Sequence, residues 1–138
     1  MQEHTNRCAA QQPGQRHRQA GQATVEFVLS IGLTISVLLA ALDVGRAFFS
    51  YIALVNAARE GAHNGIETQN PAMIDPTVRQ ELQGNSLIDL TDLTTTYTWG
   101  GSGQPLVVNL TYHFDLIVTS FLPFSSINLR TSATMAIP

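Results

Sequence analysis

Glu26 stands at the head of an uncharged apolar run that extends from Phe27 to Leu42 and ends at Asp43. In lipid a carboxylate costs roughly 2.5 to 3.5 kcal/mol at mid-membrane on insertion scales, and less near the edge. Two readings of Glu26 are open: an acid partnered by a nearby cation, or an acid at headgroup level favoured by the helix N-terminal dipole. Asp43 and Arg46 have the three-residue spacing of a helical ion pair, which contributes only roughly 0.2 to 0.5 kcal/mol; two separately solvated interfacial charges are the equal alternative. His113 and Asp115 share one face of a strand, yet no motif places a serine or cysteine nucleophile beside them, so that face reads as surface. Arg59-Glu60-Gly61-Ala62-His63 lacks the His-Glu-x-x-His spacing of a metal site and reads as a solvated helix end. Asn109-Leu110-Thr111 has the form of a glycosylation acceptor, a triplet that chance also produces. With no phosphate loop, nucleophile elbow or paired-carboxylate constellation, neither an enzyme nor a cofactor or metal centre is expected. The single cysteine, Cys8, rules out an intrachain disulfide and a Cys-rich zinc site.

These residues need elements to carry them. The chain has 138 residues, 44% hydrophobic and 12% charged, enough for one small domain and too apolar for disorder. Its net charge of −3 gives no basic field for nucleic acid. Charge is nevertheless uneven: residues 1–21 hold three arginines against one acid, and residues 22–138 hold four against nine. The front segment is polar, rich in Gln, Arg, Gly and Pro, and is expected to be a disordered cytoplasmic leader. Residues 22–42 are long enough to span a bilayer core of ~30 Å only if Glu26 goes in with them. The arginine excess before the span puts the N-terminus inside and the C-terminal part outside. A secretory signal peptide is the competing topology. Its cleavage pattern is weak around Leu39 to Leu42 and no breaker follows Asp43, which favours an uncut anchor.

Past Asp43 the stripe Val44, Phe48, Ile52, Val55, Ala58, Ala62 keeps helical steps, so one helix from Gln22 to about Asn64 is predicted, with Gly61 and Gly65 weakening and closing it. Apolar groups lie on most faces between 44 and 58, which implies neighbours on more than one side. Gly32, Ser36 and Ala40, and Ala41 and Gly45, have the four-residue spacing of close helix approach in lipid. A short helix from Pro76 to about Gln83 is expected, with Asp75 as N-cap and Gly84 as stop. Three strands follow. Leu93, Thr95, Tyr97 and Trp99 share a face of the first, with Tyr97 and Trp99 assigned to the core, and Gly100 to Pro105 form a hairpin loop. Leu106, Val108, Leu110, Tyr112, Phe114 and Leu116 point inward from the second. After a loop around Phe121–Phe124, Ile127, Leu129, Ala133, Met135 and Ile137 point inward from the third. An antiparallel meander with one wet face results, covered by the upper part of the long helix.

Gly21-Gln22-Ala23-Thr24-Val25-Glu26-Phe27, a glycine closing a basic leader with glutamate fifth and an aromatic sixth after it, resembles the prepilin peptidase site of type IV pilins. Asp43-Val44-Gly45-Arg46-Ala47-Phe48 and Asn56-Ala57-Ala58-Arg59-Glu60-Gly61-Ala62 resemble two further signatures of TadE-like minor pilins of the tight-adherence (Flp-type) IV pilus system, and the closing strand Thr131–Ile137 is similar to the family's ending. The likeness is close over residues 20 to 66 and by pattern beyond. It implies an α+β, type IV pilin-like fold: leader 1–21, transmembrane helix 22–42, extracytoplasmic continuation 43–66, and a small head 67–138 with a short helix and a three-stranded antiparallel sheet packed on the long helix.

The same resemblance implies cleavage between Gly21 and Gln22 by prepilin peptidase, assembly through Glu26 and Phe27, and a helix signature at Asp43, Gly45, Arg46, Asn56, Arg59, Glu60 and Gly61. Its implied partners are the peptidase, other pilins and minor pilins, the inner-membrane assembly platform and the lipid bilayer. The place is the bacterial inner membrane, single-pass, with possible incorporation in an extracellular pilus. Cleavage would create an ammonium at Gln22 one turn from Glu26 and so give the acid its partner. A minor pilin or pseudopilin is one functional reading. A signal-anchored extracytoplasmic binding or sensory module that never enters a filament is the other.

Overall fold

A computed structural model describes residues 14–101, 103–117 and 126–137, with side chains from Gly21 onward. Cys8, the first thirteen leader residues and the loop around Phe121–Phe124 lie outside the described residues. The chain divides into two compact units, residues 1–37 and 38–138.

Helix α1 runs from Gly14 to Glu67. It begins eight residues ahead of Gln22, where a disordered leader is expected. Gln, Arg and Ala are all good helix formers, which favours extending the backbone ladder upstream. In the first unit every side chain described from Gly21 to Val37 is exposed. Thr34 Oγ1 donates to Ser30 O at 2.8 Å and Ser36 Oγ to Gly32 O at 2.9 Å, which satisfies both hydroxyls within the helix. Among the described residues, α1 is long and apolar enough to cross a membrane.

In the second unit α1 continues from Leu38 and carries the head. Gly61 and Gly65 do not close it. A Cβ on Gly61 would lie 2.5 Å from Val78 Cγ2, and one on Gly65 would lie 2.7 Å from Ile74 Cγ1. The two glycines are therefore where helix α2, Ile74–Leu82, is seated on α1. Termination falls to Gln69, which takes the left-handed conformation with φ 50. Its N–H donates to Ile66 O, and the Asn70 N–H reaches back to Gly65 O, the paired bonds of a Schellman cap.

Asp75 is not the cap of α2. A 3-10 turn over Pro71–Met73 leads into the helix, and Asn70 Oδ1 caps that turn by accepting from the Ala72 N–H. Winding has already begun by Asp75, which instead accepts from Arg79 Nε at 2.9 Å. Arg79 Nη1 also donates to Leu90 O, tying α2 to the turn before the sheet.

Strands β1 (Leu93–Trp99), β2 (Pro105–Asp115) and β3 (Ser126–Ala136) form an antiparallel meander in that order. Leu93 faces Tyr112 across β1 and β2, and Phe114 faces Ile127 across β2 and β3. Gly101 and Gly103 take positive φ in the β1–β2 loop, a conformation glycine adopts without strain. The fold is α+β, with a long apolar helix, a short helix and a three-stranded antiparallel sheet.

β2 supplies the centre of the core: Leu106, Val108, Leu110, Tyr112 and Phe114 are all buried against Leu54, Ala57, Ala58 and Ala62 of α1. The strands beside it are less covered. Trp99 packs against the core, but Tyr97 is 43% exposed and Ile127 40% exposed, so neither is a core residue. One helix ~10 Å across can cover a central strand and only part of neighbours ~4.8 Å to either side.

The α1 face turned to the sheet runs through Asp43, Ala47, Ser50 and Leu54. Val44, Phe48, Phe49 and Ile52 lie on the other sides of the helix and are exposed, while Tyr51 flanks the sheet. The head thus covers one side of the helix and leaves an apolar side open.

Candidate functional site

The residues singled out from sequence fall into three groups along α1. Gly21, Gln22, Glu26 and Phe27 lie on the exposed helix of the first unit. Nothing stands within 4 Å of the position a Gly21 Cβ would take. Gly21 is helical, and glycine lowers helix stability there by about 1 kcal/mol relative to alanine. With the leader attached, Gln22 presents a peptide N–H to the helix, so the ammonium expected to face Glu26 arises only on cleavage.

The second group is built in three dimensions. Asp43 is 2% exposed, and Arg46 Nη1 donates to its Oδ1 at 3.0 Å. The Arg46 guanidinium carbon also lies 5.0 Å from the centre of the Phe114 ring. Of the two readings open for this pair, separately solvated charges fail and the ion pair forms. Because Asp43 is desolvated, losing its cation would be costly, and the cation also sits over an aromatic face. Gly45, in the same motif, has no atom within 4 Å of a would-be Cβ.

The third group splits. Gly61 is buried beneath α2, whereas Asn56, Arg59 and Glu60 are exposed and share one side of α1 at three- and four-residue spacing. The structure therefore gathers no single pocket from these signatures. Asp43, Arg46 and Gly61 fasten the head to the helix, and the remainder faces outward.

Two contributors were not singled out from sequence. The alternation of β2 places Phe114 only in the core, and its role under Arg46 depends on how β2 is laid along α1. Ser50 is fully buried, and its Oγ has no hydrogen-bond partner among the described residues. A serine between Ala47 and Leu54 on an apolar helix has no sequence signal beyond its smallness.

Beside Arg46 lies an open cleft of about 470 Å³, rimmed by Asp89, Asp92, Tyr112, His113 and Asp115. Asp89 is engaged internally: hydrogen bonds from the Thr91 backbone N–H and hydroxyl hold its carboxyl below the usual range. His113 Nδ1 lies 3.0 Å from Asn128 Oδ1 on the exposed sheet face. Among the described residues no group of three His, Cys, Asp or Glu side chains is placed to hold a metal ion.

The helix that carries all three groups is also what the comparison with known families detects. Residues 21–63 match the family model of TadE-like protein. The TadE-like segment begins at Gly21 and ends two residues before Gly65, so it takes in the exposed apolar stretch, the Asp43–Arg46 pair and the outward Asn56, Arg59 and Glu60. The sheet lies outside the TadE-like match. No curated protein matches the chain, and no solved structure does.

Proposed function

We propose that this chain is a minor pilin or pseudopilin of a tight-adherence (Flp-type) pilus. TadE-like proteins are pilus-associated, and the observation that carries the reading is where the match falls: it starts at Gly21, the residue after which a prepilin peptidase would cut, and follows one apolar helix that keeps an exposed apolar side throughout. In this reading the leader lies in the cytoplasm, α1 spans the inner membrane, and the head is extracytoplasmic. Cleavage between Gly21 and Gln22 frees an ammonium one helical turn from Glu26. A Glu26 carboxylate facing that amine, its own or a neighbour's, is neutralised in the apolar layer and guides the helix among other pilins and the assembly platform. The outward apolar side of α1 fits a protein designed to have further neighbours.

Mass spectrometry of the protein extracted from native membranes tests the proposal. A mature N-terminus at Gln22 is expected. An intact leader on the membrane-extracted chain would overturn it and favour the anchored module.

A further inference from the structure

We propose that the heads of two copies of this chain join edge to edge, the outer edge of β3 in one lying beside the outer edge of β1 in the next, so that the sheet continues from copy to copy. The inference concerns the second unit alone and goes beyond the proposed function, since it holds whether or not α1 enters a filament.

Among the described residues β1 and β3 each pair only with β2, so the outer edge of each offers backbone donors and acceptors to another strand. Neither edge is guarded. β3 keeps unbroken register with β2 from Ser126 to Ala136 and contains no proline, glycine or lysine, and β1 contains none of these and no charge. Bulges, prolines and lysines are what ordinarily keep an exposed edge from pairing. The two edges also match in height. Across β2, Leu93 is level with Leu129, Tyr97 with Ala133 and Trp99 with Met135. A second copy displaced sideways along the sheet keeps these levels, so the same residues meet across the junction, apolar beside apolar on the helix side. Thr96 meets Ser132 on the other side, polar beside polar, as register demands where one face is buried. The half-exposed Tyr97 gains the neighbour that α1 is too narrow to supply.

Charge decides which edges meet. Arg130 is the one charged residue of β3, and Asp92 immediately precedes β1; both are exposed, and neither has an ion-pair partner among the described residues. In the junction Arg130 comes level with Thr94 of the next copy, two residues from Asp92, and a diagonal of roughly 7 to 8 Å is within reach of a long side chain. The other combinations lack this. With both helices kept on one side of the sheet, two β3 edges meet only antiparallel, and their fullest overlap, centred on Thr131, puts two Arg130 cations on one face at a similar diagonal. Two β1 edges bring no opposite charges together. A β3-to-β1 junction is heterologous, so it does not close on two copies and each added head leaves another edge open.

The test uses the full chain in detergent, carrying Cys8→Ser. One preparation, grown with a heavy nitrogen isotope, carries Thr96→Cys; a second, unlabelled, carries Ser132→Cys. Trp99 fluorescence checks that each variant retains its head. Equal amounts are mixed and treated with a short bis-maleimide, which captures the brief contacts expected of so small an interface, and mass spectrometry counts the dimers. The mixed dimer is expected severalfold above its statistical share relative to the dimers of either variant alone, a ratio that association through α1 by itself leaves at the statistical value. Arg130→Glu in the second preparation should remove most of that excess, and Asp92→Arg in the first should then restore it. A statistical distribution, or an excess unmoved by the charge reversal, overturns the proposal. A dominant dimer of one variant alone overturns it in favour of like edges meeting.

Discussion

Arg46 lies over the ring of Phe114 while its Nη1 holds the buried carboxylate of Asp43. One guanidinium thereby connects the helix to the far end of the central strand. Arg46→Ala should destabilise the head by about 1 to 3 kcal/mol, because it leaves a desolvated carboxylate short of its cation. Arg46→Lys should recover only part of that, since an ammonium lacks the planar face that stacks on Phe114. Denaturation of the full chain in detergent, followed by Trp99 fluorescence, reads both. An Arg46→Ala protein as stable as the wild type would show that the pair does no structural work.

The seat of α2 gives a second prediction. Gly61→Ala would raise helix propensity by about 1 kcal/mol, yet its methyl group would press on Val78 Cγ2, and overpacking costs typically 1 to 3 kcal/mol. A net loss of stability is expected, relieved in part when Val78→Ala is added. Gly32→Ala, in open space, should show no such loss. Equal effects at Gly61 and Gly32 would refute the close approach.

Gln69 closes α1 in a left-handed conformation that a side chain adopts with strain. Gln69→Gly removes the strain and should stabilise the head by about 0.5 to 1 kcal/mol, less whatever the unfolded chain gains in freedom. A lower midpoint in the same denaturation assay would contradict the cap.

Acid should weaken the α2 anchor. Burial pushes the Asp75 carboxyl up, but the hydrogen bonds from Arg79 and Thr95 together with the arginine's charge outweigh it and leave the pKa below its ordinary 3.8. A lowered folded-state pKa contributes stability that is fully present above the unfolded value and is lost as pH falls through the folded one. The pair is partly exposed, so about 0.2 to 1 kcal/mol is at stake. Stability should therefore decline below about pH 4, and Asp75→Asn should flatten that decline. An unchanged acid limb in the variant would assign it to other groups.

Glu26→Ala should leave membrane insertion intact and impair assembly with partner pilins. Carbonate extraction reads the first and co-purification the second. Undiminished co-purification would count against a guiding role for the carboxylate.

How far the sequence shows this structure depends on how local each cause is. The alternation of Leu106, Val108, Leu110, Tyr112 and Phe114 is a property of one strand, and the burial follows it residue by residue. The Asp43–Arg46 spacing permits an ion pair within one helical turn but leaves separately solvated charges equally open, and only the burial of Asp43 decides between them. Tyr97 and Ile127 obey the same alternation, yet they are exposed because a single helix is too narrow to cover the whole sheet. Gly61 and Gly65 look like helix breakers until α2 is seen lying on them. Phe114 carries no mark of its second role, which needs two elements at once. The upstream start of α1 at Gly14 is hidden for another reason: the segment offers residues of good intrinsic propensity but no apolar periodicity to announce a helix.

The two attachments of the head to α1, Arg46 over Phe114 and Gly61 beneath Val78, have an evolutionary consequence. Deleting one residue between Ser50 and Leu54 would rotate everything below it by about 100° about the axis, swinging Arg46 off Phe114 while Gly61 stayed seated beneath Val78. Insertions and deletions in that interval are therefore disallowed singly, and natural length variation should collect in the connections between strands instead.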